Sequence, residues 1–187
     1  MNLPRRILVL APHTDDAELG AGASIAKWIE QGSEVHVCVF STAEDSLPKG
    51  SRPTRLAEEC HASLDVLENM VQLGQEIAPE WVVIPSGSDL HQDHATIHDE
   101  ALRAFKHKTV LGYELPWNHI TFCASAFVTL ERRHIDRKWE ALTCYASQLE
   151  LGRPYFTKEF HESLARVRGL QVKNDWAEAF ELIRAVL

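Results

Sequence analysis

The sequence predicts an α/β protein, Rossmann-like and built as a three-layer α/β/α sandwich around a mostly parallel sheet, on three observations. Ile7-Leu-Val-Leu-Ala11 is a continuous apolar run of strand length, the pattern of a strand covered on both faces. From Glu18 to Glu30, apolar residues recur at Leu19, Ala23, Ile25, Ala26 and Ile29, close to helical spacing, and Gly32 supplies a stop. Glu34-Val-His-Val-Cys-Val-Phe40 follows at once as a second strand, so the chain opens with a βαβ unit.

The later elements extend this pattern. Residues 43–54 hold Glu44, Asp45, Pro48, Gly50 and Pro53, turn formers and charges that read as a loop at the entrance to a site. Arg55 to Ala78 carries apolar residues at helical spacing with no proline, which predicts one long helix ended by Pro79. Trp81-Val-Val-Ile84 is a third strand, residues 85–94 a loop, and residues 95–106 a helix with Ile97, Ala101, Leu102 and Phe105 inward. Thr109–Tyr113 reads as a fourth strand and Thr121–Leu130 as a fifth. Helical patterns cover Asp136–Ser147 and Phe156–Arg166, and a terminal helix is expected over Trp176–Val186. Right-handed crossovers give the sheet order 2-1-3-4, with the long helix on the opposite face from the first.

Composition narrows the partners. A chain of 187 residues is expected to form a single domain over 1–187. Its formal net charge is −8 and no run of Lys and Arg could track a phosphate backbone, which argues against nucleic acid. The apolar run at Ile7 leads into Pro12, His13 and two aspartates rather than a cleavage site, so it reads as a strand and not a signal peptide. No apolar stretch approaches the roughly 20 residues that span a bilayer. Cys38, Cys60, Cys123 and Cys144 are too scattered for a zinc ribbon or a disulfide framework and read as free thiols of a cytoplasmic protein.

Ligands of open α/β sheets bind at the carboxyl ends of the strands. Two polar clusters stand there, Pro12-His13-Thr14-Asp15-Asp16 after strand one and Asp89-Leu90-His91-Gln92-Asp93-His94 after strand three. His13 and Asp16 of the first cluster, with one imidazole of the second, make up the two-imidazole, one-carboxylate set of a catalytic zinc site with a position open for water, and Asp15 remains beside it as a base. A lone His-x-x-Asp at a strand end is more often a helix N-cap than a ligand pair. Clusters at two strand ends bring the ion level with the cap, because unpaired carboxylates and imidazoles seldom gather at one sheet edge without a use.

The segment Ile7–Ile25, with its Ala-Pro-His-Thr-Asp-Asp core, resembles the opening signature of the LmbE-like, or PIG-L, family of N-acetylglucosaminyl deacetylases. Asp-Leu-His-Gln-Asp-His94 resembles the family's second signature, His-Pro-Asp-His, and similarity continues in Gly112–Asn118 and Ala177–Arg184. The resemblance implies a hydrolase acting on a linear amide C–N bond, with Zn2+ on His13, Asp16 and His94 and Asp15 as general base. It further implies that His91 stabilises the oxyanion and that Asp93 holds His91 charged and oriented. Arg55 loosely matches a family arginine that holds substrate, an exposed helix-start arginine being the alternative. Trp117, Asn118 and Tyr155 could contact a sugar, although a large aromatic after a strand is as well suited to core or rim.

The chain departs from the family pattern in several places. Thr14 replaces a proline, Ala17 stands where glutamate is usual, Gln92 replaces the second proline, and no aromatic precedes His91. Between Leu67 and Pro79 the family's edge strand is expected to be missing, leaving strand two as an exposed edge that invites a homo-oligomer contact. Two other readings follow. One is a metal-holding but non-catalytic or impaired family member acting as a binding or structural protein. The other, a nucleotide-binding Rossmann protein, is weak because Gly20-Ala-Gly22 lies inside the first helix rather than in the turn before it.

Overall fold

The computed structural model describes residues 3–41 and 70–186. Its elements are β1 (Arg6–Ala11), α1 (Asp16–Glu30), β2 (Glu34–Val39), a helical segment α2 described over residues 70–77, β3 (Trp81–Pro85), α3 (Gln92–Ala104), β4 (Thr109–Tyr113), β5 (Ala126–Leu130), α4 (Arg132–Leu142), α5 (Ala146–Glu150), α6 (Lys158–Gln171) and β6 (Trp176–Arg184). They form a six-stranded sheet ordered β2-β1-β3-β4-β6-β5, so the expected 2-1-3-4 is found intact. The first four strands are parallel, whereas β6 runs antiparallel to both β4 and β5.

Alternation along β1 divides the core. Ile7, Val9 and Ala11 pack under α1 with Leu19 and Trp28. Leu8 and Leu10 face Met70, Ile97 and Phe105, which places the described part of α2 and α3 on the other face, as the crossover rule requires. Gly32, with φ at 93°, ends α1 in a backbone region that glycine enters without a Cβ clash. Residues 70–77 are helical, with no strand among them, while the rest of the expected helix from Arg55, and the loop at 43–54, lie outside the described residues. Among the described residues β2 is an edge of the sheet, with Val37 and Val39 exposed.

The C-terminal segment corrects the sequence reading. Trp176–Arg184, expected as a helix, is strand β6, inserted between β4 and β5. Its Ala, Glu and Leu content favours a helix, but Ala177, Ala179 and Phe180 are buried in the sheet and tertiary packing overrides that preference. Smaller corrections concern boundaries. The expected helix over Asp136–Ser147 is two helices, the first starting at Arg132 behind a Glu131–His134 capping box. The helix expected from Phe156 starts at Lys158, where Thr157 caps it, and α3 starts at Gln92, three residues early.

Candidate metal centre

The site lies where β1, β3 and β4 end. β1 delivers His13 at the turn into α1, with Asp15 as N-cap residue and Asp16 in the first turn. The Asp15 side chain makes no capping hydrogen bond, so its carboxylate is not spent on the helix. The hydroxyl of Tyr145 donates to the Thr14 carbonyl at 2.7 Å and pins this turn from the α4–α5 side. β3 delivers the second loop. Asp89 accepts the backbone N–H of His91 at 2.9 Å, His91 caps α3, and His94 falls in the first turn of that helix. The Leu90 N–H donates to the Asn118 carbonyl and ties this loop to the turn after β4.

Three donor atoms converge. Asp16 Oδ2 is 3.1 Å from His13 Nδ1 and 3.2 Å from His94 Nε2, and the two nitrogens are 3.3 Å apart. Donors 2.0–2.1 Å from a tetrahedral zinc ion are separated by about 3.3 Å, so the triangle has the edge length that such an ion requires. His91 makes a wider set with His13 and His94, all donor atoms lying within 4.8 Å of one another. The tighter triangle is the better match to one ion. Asp16 and His94 are buried and His13 is half-buried.

The charges are strongly coupled. Hydrogen bonds to Asp16 and Asp93 raise His13 to about 10. Burial alone would lower His94, but its bonds to Asp16 and Asp89 outweigh that and raise it to about 9. Burial would raise Asp16, yet the two imidazoles hold it far below the usual carboxylate range. Asp15 is pushed up by burial and by the neighbouring Asp16 charge, the direction that suits a base.

Two expectations change in detail. The Asp93 carboxylate does not hold His91; it lies 2.9 Å from His13 Nε2. Nor do the surroundings favour a charged His91, which burial and the adjacent His94 push down. Its Nδ1 accepts the Asp93 N–H at 3.3 Å, which leaves the ring proton on the exposed Nε2. Trp117 is stacked on Tyr155 with centroids 3.9 Å apart, so one face of its indole is already covered. Arg55 lies outside the described residues. Asp89, part of the second cluster but given no role from sequence, is buried against His94 Nδ1 at 2.7 Å; a carboxylate five residues before a ligand histidine was the available signal.

Fold and site together define an α/β protein with a His/Asp/His centre at its parallel strand ends. Residues 8–64 match the family model of PIG-L, described as GlcNAc-PI de-N-acetylase. The chain is 24% identical to the uncharacterized deacetylase YaiS of Escherichia coli (strain K12), over 78% of this chain and 93% of that protein. Two solved structures share the fold: GalB, the 4-carboxy-2-hydroxymuconate hydratase of Pseudomonas putida KT2440 (TM-score 0.75, 21% identity, 98% of this chain and 98% of that one), and N,N'-diacetylchitobiose deacetylase of Pyrococcus horikoshii (TM-score 0.72, 17% identity, 95% of this chain and 83% of that one). The resemblance to PIG-L and LmbE-like deacetylases read from the sequence therefore holds, carried by the matched segment and by a shared fold along nearly the whole chain.

Proposed function

We propose that the protein is a zinc-dependent N-deacetylase, a hydrolase that removes the acetyl group from an N-acetylglucosamine-type sugar conjugate. The observation that carries this reading is the triangle of His13 Nδ1, Asp16 Oδ2 and His94 Nε2, with edges of 3.1–3.3 Å at the strand ends. The choice of an N-acetyl sugar is supported by the PIG-L match and by the chitobiose deacetylase of the same fold. Free thiols at Cys38, Cys123 and Cys144 suit a cytoplasmic location, and among the described residues no helix is long and apolar enough to cross a membrane. Pairing of two copies along the β2 edge belongs to the same proposal.

Zinc, when held by His13, Asp16 and His94, lowers the pKa of water toward about 7 and polarises an acyl oxygen. Asp15 removes a proton from the attacking water as its oxygen adds to the acetyl carbon. The Nε2–H of His91, fixed in that tautomer by the Asp93 N–H, donates to the oxygen that gains negative charge. The C–N bond then breaks, Asp15 returns the proton to the departing nitrogen, and acetate and an amine leave. Trp117 and Tyr155 form an aromatic rim, and Arg55 keeps the substrate-holding role that the resemblance gives it.

Acetate release from a panel of N-acetyl sugars, free and conjugated, tests the reading with zinc-loaded protein. Turnover that is lost on chelation supports it. Zinc uptake with no hydrolysis across the panel favours the non-catalytic binding protein instead. Hydration of an unsaturated tricarboxylate of the carboxymuconate kind without acetate release would favour a reaction like that named for GalB, whose fold this chain shares.

A further inference from the structure

The two histidines of the triangle differ in a way that their sequence positions do not reveal. His13 turns Nδ1 toward the other donors, and its Nε2 meets Asp93 Oδ2 at 2.9 Å. His94 does the reverse, with Nε2 inward and Nδ1 meeting Asp89 Oδ2 at 2.7 Å. Each imidazole is thus backed by its own carboxylate, and the backing is on opposite ring nitrogens.

We infer that Asp89 and Asp93 are positioning residues that fix His13 and His94 in opposite tautomers for one shared metal ion. The inference rests on the zinc reading proposed above. A neutral imidazole has one N–H and one lone pair, so a carboxylate that accepts from one nitrogen presents the other as a donor to metal. Asp93 therefore keeps the proton of His13 on Nε2 and frees Nδ1. Asp89 keeps the proton of His94 on Nδ1 and frees Nε2. A hydrogen-bonded carboxylate behind a ligand imidazole also raises its basicity and stops the ring from turning.

The two supports are built differently. Asp89 is buried and carries three hydrogen bonds: to His94, to the His91 N–H at 2.9 Å, and to Asn118 Nδ2 at 3.3 Å. It joins the loop after β3 to the turn after β4, so it orients His94 and organises the loop together. Asp93 has a half-exposed side chain, and its link to His13 bridges the loops after β1 and β3. Its removal leaves the fold's packing untouched and tests positioning alone.

The experiment measures zinc affinity of the full chain by competition with a chromophoric chelator for wild type, Asp89→Asn and Asp93→Asn. Long-range proton–nitrogen spectra of 15N-histidine, zinc-loaded wild type read the tautomers. Expected are a loss of affinity of about 10- to 100-fold in each variant, a size typical of such supports, and His13 protonated on Nε2 but His94 on Nδ1. Zinc-free melting curves separate folding from positioning, and Asp93→Asn should melt like wild type even if Asp89→Asn does not. Wild-type zinc uptake with affinity unchanged in Asp93→Asn, or with both histidines in the same tautomer, overturns the inference and leaves the zinc reading standing. Failure of wild type to take up zinc at all overturns both.

Discussion

Two regions of this molecule bury charge, and they solve the problem with different partners. At the strand ends, Asp16, Asp89 and Asp93 are paired with the imidazoles of His13 and His94. Behind α1, Glu178 is paired with Lys138 at 2.8 Å and Glu114 with Arg168, all among packed side chains. The Glu178 carboxylate also accepts the N–H groups of Ala23 and Ser24, and Lys138 Nζ donates to the Leu19 carbonyl, so this pair sits against the hydrogen-bond ladder of α1. Gly22 makes room for it, since a Cβ there would lie 3.0 Å from Lys138 Cγ. A permanent cation suits a group that must never let go. Imidazoles at the other region can exchange their protons for a metal ion, which is what separates a site from a strut.

Removing one partner from the strut should have the largest effect. Lys138→Ala leaves Glu178 buried without its cation, and breaking a buried pair in this way costs about 3–5 kcal/mol. That is a large share of the usual 5–15 kcal/mol of a domain. Chemical denaturation measures it, and a loss below about 1 kcal/mol would show that the pair is no strut. Asp15→Asn acts on the opposite region: turnover should fall by about 100-fold or more, the usual worth of a general base, with zinc content and melting temperature unchanged. Intact turnover in that variant would remove Asp15 from the mechanism and blur the contrast.

A third perturbation uses His161, buried beside Lys138 with neither ring nitrogen in a well-formed hydrogen bond among the described residues. Burial, and then the Lys138 charge, lower it to about 3. Its value in the unfolded chain is near 6.5, so between these limits the unfolded state binds a proton that the folded state refuses. Stability from this residue is therefore complete above pH 6.5 and is lost as pH falls toward 3. At pH 5 the loss is about 2 kcal/mol, and His161→Phe should flatten that part of the acid limb in denaturation series. An unchanged limb would mean that the cavity admits the charged ring.

The contrast between the regions also explains what could be read in the sequence. β1, α1, β3 and β4 announce themselves by apolar periodicity, because each buries a continuous face, and β2 by its alternation, although none of its residues is fully buried. His13 and Asp16 as candidate ligands were legible because a short polar cluster follows an apolar strand, and a second such cluster offered His91 and His94, between which the family resemblance chose. β6 was not, since Trp176–Arg184 is rich in helix formers and becomes a strand only because β4 and β5 offer it a place between them. The Glu178–Lys138 pair was hidden for the same reason: its partners lie 40 residues apart and meet only once β6 is placed. Roles of Asp89 and Asp93 were beyond sequence spacing, because which imidazole nitrogen a carboxylate meets is settled by loop geometry and not by order along the chain.

The mildest perturbation is the ion itself. In the zinc-free protein His13 and His94, at about 10 and about 9, both hold two ring protons at pH 8. A metal ligand must present a free lone pair, so binding displaces one proton from each ring. Their raised values mean that protons compete with zinc until pH passes 9 to 10, and affinity should climb with pH over the range below. Calorimetric titration of zinc in buffers of different ionisation enthalpy should count about two protons released per ion at pH 7–8, beyond any lost by water. The Glu178–Lys138 and Glu114–Arg168 pairs behind α1 contain no imidazole and take no part in this exchange. A count near zero would place the ion away from these two rings and make the strand-end cluster a second strut.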